Sequence, residues 1–234
     1  MKMKIEIAFT LYSTKTCPFT ARIKVLIALK ELEVPVVDPS EIGFDKYEKI
    51  VSPMRIPAIQ LPDGKVLVES EAICEFIEEQ FPYKQSVHVD PLERYRLRLI
   101  SRRADLDLAS SLSPIGVLQK IESCDQIIIE LIRESGKKAL TALNDLLSER
   151  SPFAMGENLS HADGALLTRL HLIEQMWSLY SVGDPFGDFQ RIQEYRQALS
   201  ENAVIAAIEK PYLDALLEAV ADVRAKQAET ARSG

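Results

Sequence analysis

The sequence predicts a small α/β domain followed by an all-helical one, and three observations carry that prediction. Ile5, Ile7, Phe9 and Leu11 alternate with Glu6, Ala8 and Thr10, the period of a strand, before Ile23, Leu26, Ile27 and Lys30 switch to helical spacing. Two apolar runs, Pro57 to Leu61 and Val66 to Val68, are joined by the turn sequence Pro62-Asp63-Gly64-Lys65. From Leu92 onward the apolar repeats have helical spacing and none alternates.

Taken in order, Ile5 to Leu11 is the first strand and Pro18 to Leu32 the first helix, with Pro18 in the first turn, where its missing N–H is not needed. Val34 to Val37 is a short β-branched second strand, and Phe44 to Ile50 a brief second helix. The two runs around Pro62 to Lys65 form an antiparallel hairpin. Ser70 stands as N-cap of a helix carrying Ile73, Phe76 and Ile77, stopped by Phe81-Pro82. The order β-α-β-α-β-β-α builds a mixed sheet with helices on both faces. Residues 84–91 end in Asp90-Pro91 and read as a linker. Helices are expected over Leu92 to Leu112, Cys124 to Leu147, His161 to Tyr180, Asp188 to Leu199 and Ala203 to Ala225. The boundaries are therefore 1–83, 84–91, 92–225 and a frayed polar tail at 226–234.

The 234 residues, at about 150 per domain, fit this two-part reading. Apolar residues make up 47% and no apolar run reaches the roughly 20 residues of a bilayer span, so a globular chain without membrane contact is expected. Glu6 interrupts the first apolar stretch, which argues against a secretory leader and for a cytoplasmic protein. A net charge of −7 disfavours direct nucleic-acid binding. Cys17, Cys74 and Cys124 are odd in number and widely spaced, and His88, His161 and His171 add no ligand spacing, so neither a disulfide scaffold nor a metal site is expected.

Cys17 stands between the first strand and the first helix, in Thr16-Cys17-Pro18-Phe19-Thr20. A thiol facing a helix N-terminus meets about half a positive charge and free N–H groups, which favour the thiolate. The alternative is a small buried apolar residue; the strand-to-helix position favours the nucleophile. Thr20 occupies the place of a dithiol enzyme's second cysteine, so any redox cycle on Cys17 needs an external thiol.

Leu11-Tyr12-Ser13 leading to Cys17-Pro18-Phe19, Arg55-Ile56-Pro57-Ala58-Ile59, Asp63-Gly64 with Glu69-Ser70-Glu71-Ala72-Ile73, and Phe81-Pro82 together resemble the cytosolic glutathione transferases, in particular the cysteine-type, omega-like enzymes. The resemblance spans about residues 5 to 83. It implies a thioredoxin-like N-terminal domain plus an all-α C-terminal domain, the glutathione transferase architecture. It implies Cys17 as the catalytic residue and Phe19, Arg55, Ile56, Pro57, Glu69 and Ser70 as glutathione-binding. Pro57 would follow a cis bond that turns the Ile56 backbone toward the cysteinyl part of the ligand, or open a strand as an ordinary trans proline. Glu69 and Ser70 would hold the γ-glutamyl end, Ser70 also serving as a cap. Arg55 would contact the glycyl carboxylate, although the Pro53 to Pro57 spacing is one residue shorter than the family's. Phe19 would pack or offer its backbone beside the thiol, and Tyr12 is the substitute activating group.

In the second half, Ser160 and Asp163 have capping-box spacing ahead of a central helix, with Gly164 where an apolar staple residue is usual. Arg94, Arg96, Arg98, Arg102 and Arg103 read as a solvated helix paired with Glu93, Asp105 and Asp107, or as a partner surface. Met176 and Trp177 read as core, and His161 and His171 receive no functional role.

The reaction implied is glutathione-dependent thiol transfer through a Cys17–glutathione mixed disulfide, with conjugation secondary. Glutathione is the co-substrate, no cofactor is bound permanently, and the second substrate is a small electrophile or disulfide. The resemblance also implies a homodimer. The alternative is a regulatory protein on the same fold, resembling stringent starvation protein A, with RNA polymerase as partner.

Overall fold

The computed structural model describes residues 9–83, 90–113, 126–147 and 152–233. Four short strands, β1 (Thr10–Tyr12), β2 (Val36–Val37), β3 (Ala58–Gln60) and β4 (Val66–Val68), form one sheet in the order β2-β1-β3-β4. β1 and β2 are parallel; β1–β3 and β3–β4 are antiparallel. Around them lie α1 (Ala21–Leu29), α2 (Pro39–Ile42), α3 (Phe44–Ile50) and α4 (Ser70–Gln80).

Alternation along β1 decides the two faces of the sheet. Leu11 points to a core with Ile23 and Leu26 of α1 and Ile73 and Ile77 of α4, whereas Tyr12 points the other way, to Tyr47 of α3 and Val51. The elements predicted over the described residues are present, and their bounds and caps differ at several points. α1 begins at Ala21 with Thr20 as its N-cap, so Pro18 lies in the preceding turn. α2, unread in the sequence, is a single turn started by Pro39 and capped by Asp38 Oδ1, which accepts from Ser40 N at 2.9 Å. The N-cap of α4 is Glu69, at φ 69°, and Ser70 is the first helical residue: the chain reverses at Glu69 itself. Residues 5–8 of the expected first strand, and the linker residues 84–89, lie outside the described residues.

The helical part comprises α5 (Pro91–Arg103), which runs on through a π-helical stretch at Ala104–Leu108 and a last turn at Ala109–Ser111, then α6 (Gln126–Leu146), α7 (His161–Leu179), α8 (Gln190–Ser200) and α9 (Ala203–Ser233). α9 passes the expected end at Ala225 because Ala, Lys, Gln, Glu and Arg are all good helix formers and need no apolar face to continue. Among the described residues no helix is long and apolar enough to cross a membrane.

α7 is the axis of the second core: of its residues, Ala162, Ala165, Leu166, Leu170, Ile173 and Trp177 are sealed from solvent. Its start is fixed by Asp163, whose fully buried carboxylate accepts from Ser160 N and Ala154 N at 2.8 Å each, and from Tyr195 Oη at 2.9 Å. Gly164 forfeits the hydrophobic staple for a closer packing: a Cβ there would stand 2.6 Å from Arg22 Cα and 2.7 Å from Ala21 C. Gly136 of α6 likewise admits the Trp177 ring, 2.5 Å from where its Cβ would be.

α1 therefore belongs to both cores. Ile23 and Leu26 face the sheet, while Val25 joins the helical cluster. Arg22, fully buried, donates to both oxygens of Asp105 at 2.6 and 2.9 Å and to Glu71 Oε2 at 2.8 Å. Glu71 also accepts from Ser101 Oγ at 2.5 Å and lies 3.2 Å from His161 Nε2. Burial alone would raise the Glu71 carboxyl, but its bond to His161 and the charges of His161 and Arg22 outweigh that and hold it at about 2.

Candidate active site

The strand register brings three chain segments to one end of the sheet. Tyr12 pairs with Ala58, and Ala58 with Val68. The loop after β1, the turn before β3 and the turn after β4 are therefore neighbours. These segments carry Cys17, Arg55-Ile56-Pro57 and Glu69-Ser70 respectively.

The β1–α1 loop is tied at its base, where Ser13 Oγ donates to Thr20 Oγ1 at 2.8 Å, both side chains being buried. Cys17 Sγ lies 3.7 Å from the Ile56 carbonyl oxygen, which it can donate to only as the protonated thiol. α1 begins at Ala21, four residues beyond Cys17, so the helix start lies farther along the chain than expected. Cys17 is 9% exposed, and Cys74, the other cysteine among the described residues, is sealed in the first core, where burial pushes its thiol up.

Ile56–Pro57 is a cis peptide bond, as is Ser52–Pro53. The Arg55 carbonyl accepts from Tyr47 Oη at 2.5 Å, which fixes the turn from the α3 side, while the Arg55 side chain is exposed. Burial, with Tyr12 and Cys17 nearby, pushes the Tyr47 hydroxyl up to about 12, so it remains a donor. Tyr12 is turned away from the loop: its hydroxyl donates to Gln60 Oε1 at 2.9 Å and its ring packs on Tyr47 at 5.3 Å. Glu69 presents an exposed carboxylate at the mouth, and Ser70 is buried at the start of α4.

The helical part closes the other side. Thr168 Oγ1 of α7 donates to the Pro18 carbonyl at 2.6 Å, and Tyr212 Oη of α9 donates to the Thr168 carbonyl at 3.2 Å. The next residue, Arg169, lays its guanidinium 4.2 Å over the Phe19 ring, which is 36% exposed. Sequence reasoning missed Arg169; a basic residue on the apolar face of a helix otherwise filled by Ala165, Leu166, Leu170 and Ile173 is the signal that was available. It also missed the Arg22–Asp105 pair, having assigned Asp105 to the arginines of its own helix. Of those arginines, Arg96 donates to the Leu146 carbonyl at 2.9 Å, Arg98 pairs with Glu75 at 2.8 Å and Arg103 pairs with Asp107.

Comparison with known proteins agrees with this architecture. Residues 11–85 match the family model of the glutathione S-transferase N-terminal domain. A probable maleylacetoacetate isomerase of Caenorhabditis elegans is 30% identical over 161 residues, covering 65% of this chain and 73% of that protein. Glutathione transferase omega-1 of the same organism is 29% identical over 101 residues, 41% of this chain and 38% of that protein. A stringent starvation protein A homolog of Pasteurella multocida is 24% identical over 179 residues, 76% of this chain and 77% of that one. Among solved structures, a glutathione S-transferase of Methylobacillus flagellatus with glutathione bound superposes with a TM-score of 0.71 at 20% identity, over 86% of this chain and 98% of that one.

Proposed function

Because the chain belongs to the glutathione S-transferase family, we propose that it is an enzyme of cysteine type that uses glutathione as co-substrate in thiol transfer. The observation that carries this reading is the approach of Cys17 Sγ to the Ile56 carbonyl at 3.7 Å, beside the cis Ile56–Pro57 bond. An extended peptide that pairs with the Ile56 backbone is thereby laid along the sulfur. Glu69 suits the ammonium and Ser70 the carboxylate of a γ-glutamyl group, Arg55 the glycyl carboxylate, and Phe19 one wall of the cleft.

In this mechanism the Cys17 thiolate attacks the glutathionyl sulfur of a mixed disulfide. A new S–S bond forms, the old one breaks, and the substrate leaves as its thiolate. A second glutathione thiolate then attacks the Cys17-bound glutathione, releasing oxidised glutathione and regenerating Cys17. Thr20, not a cysteine, faces the loop base, so the external thiol is required. The same reading includes a homodimer in the cytoplasm. A regulatory role of the stringent starvation protein type would draw on the Arg94–Arg103 stretch as a free basic face, and Arg96, Arg98 and Arg103 are engaged within the fold.

Incubation with oxidised glutathione followed by intact-mass measurement tests the proposal. A single glutathionyl adduct, lost in Cys17→Ala and removed by reduced glutathione, is expected. Absence of the adduct on a Cys17 that iodoacetamide still labels, with no retention on immobilised glutathione, would overturn it.

A further inference from the structure

Away from the Cys17 cleft, the helical part holds a cavity of about 480 Å³, within the range of sites that take a small organic molecule. All of its lining comes from α7, α8 and the first part of α9. Leu167, Leu170 and Leu199 are buried and give it an apolar floor, while Gln193 and Gln197 stand exposed at its rim. The polar groups still open in this cavity are acceptors. Gln193 Nε2 donates to the Phe186 carbonyl at 2.7 Å and Gln197 Nε2 to Glu201 Oε1 at 3.1 Å, so each side chain has its amide oxygen left to offer. Glu209 Oε1 lies 2.5 Å from His171 Nε2, and its Oε2 has no partner among the described residues.

Charge points the same way. Two carboxylates, Glu174 and Glu209, face one guanidinium, Arg196, and the His171 imidazole, whose Nδ1 lies 3.7 Å from Glu174. Arg196 is already engaged: it donates to Glu174 at 2.6 Å and rests 4.2 Å over the Phe186 ring. The contact with His171, and after it the Arg196 bond, hold the Glu174 carboxyl at about 2, so the guanidinium is matched and Glu209 has only the imidazole. An anion entering here would meet carboxylate, whereas a cation with donors would meet what is unmet.

We infer that this cavity is a second ligand site and that its ligand is a hydrophobic amine, with the ammonium group on Glu209 and the two amide oxygens and an aromatic or aliphatic body on the three leucines. An ammonium group brings three donors and one positive charge, which suits an acceptor-lined wall with one underused carboxylate. The site shares no lining residue with Cys17, Ile56, Pro57 or Ser70, so it stands whether or not thiol transfer does.

Calorimetric titration of the full chain with three probes of one shape tests this: phenylpropylamine, phenylpropanol and phenylpropionate. The amine is expected to bind at a single site, about tenfold tighter than the alcohol, the scale of one partly screened charge pair, with the propionate weaker than both. Glu209→Gln keeps the side-chain shape and removes the charge, so the amine should lose its advantage while the alcohol binds as before. Gln197→Arg places a cation at the mouth and should weaken the amine about tenfold without weakening the propionate. Because Gln197 is exposed, that variant decides the matter even where Glu209→Gln fails to fold. Equal affinity for amine and alcohol overturns the inference, as does tighter binding of the propionate, which would assign the cavity to an anion on Arg196. Amine binding that neither variant weakens puts the molecule elsewhere on the surface and overturns it too. So does the absence of amine binding.

Discussion

Thr168 and Pro18 lie 150 positions apart and share a hydrogen bond of 2.6 Å, from the Thr168 hydroxyl to the Pro18 carbonyl. The bond fastens the loop that carries Cys17 to the buried axis of the helical part. Without it the carbonyl would have to find water at the edge of a closed interface. Thr168→Val keeps the shape and removes the donor, so it should cost about 1–2 kcal/mol. It should also raise the rate of Cys17 alkylation by iodoacetamide, because the loop opens more often. Urea unfolding and timed labelling check the two halves.

Gly164→Ala tests the close approach of α7 to α1. The new methyl would meet backbone, Arg22 Cα and Ala21 C, and backbone cannot rotate away. Overpacking of this kind should destabilise by roughly 1–3 kcal/mol even though alanine is the better helix former. A melting temperature equal to or above the parent's would mean that the two helices slide apart at little cost.

Acid should loosen the joint between sheet and helices. The Glu71 carboxyl sits at about 2 against an ordinary 4.5, so its contribution is complete above the unfolded-state value and is lost as pH falls from about 4.5 toward 2. That contribution is roughly 3 kcal/mol by linkage. Glu71→Gln should therefore be less stable at pH 7 and converge on the parent near pH 2. Denaturant titrations at a series of pH values give both curves, and parallel curves would remove Glu71 from the account of acid sensitivity.

The two cysteines of the first half should differ sharply toward iodoacetamide. Cys74 is inaccessible and its thiol is pushed up by burial, whereas Cys17 has a small exposed fraction at the cleft. Native labelling should mark Cys17 at least about a hundredfold faster, and Cys74 only on unfolding. Comparable native rates would show that the first core opens readily.

Much of this was legible from local signals. Alternation in β1, the Pro62 to Lys65 turn and the helical repeats have short-range causes, so their elements could be read along the chain. The spacing of Ser160 and Asp163 likewise announced the start of α7, although the bonds from Ala154 and Tyr195 could not be foreseen. What escaped was set by the meeting of distant segments. Asp105 has arginines within one turn of its own helix, and local spacing pairs it with them; tertiary packing hands it to Arg22, more than eighty positions earlier. Gly164 breaks the local staple pattern because its reason lies on α1. Cys17 stands between β1 and α1 in the sequence itself, but its sulfur's partner, the Ile56 carbonyl, depends on how the turn before β3 folds back, and no spacing encodes that. Glu69 as cap instead of Ser70 reflects one left-handed residue, which composition does not announce.

The double allegiance of α1 bears on how such a chain can be rebuilt. Ile23 and Leu26 answer to the sheet, Arg22 and Val25 to the helices. A cut in the linker would leave Asp105 and Glu71 on opposite fragments, one of them stripped of the guanidinium that both share. Grafting a foreign N-terminal unit onto these helices would need an arginine at the same place and a narrow backbone opposite Gly164. The two halves are thus a matched pair, and recombination with a relative should succeed at loop tips and fail at the apparent domain boundary.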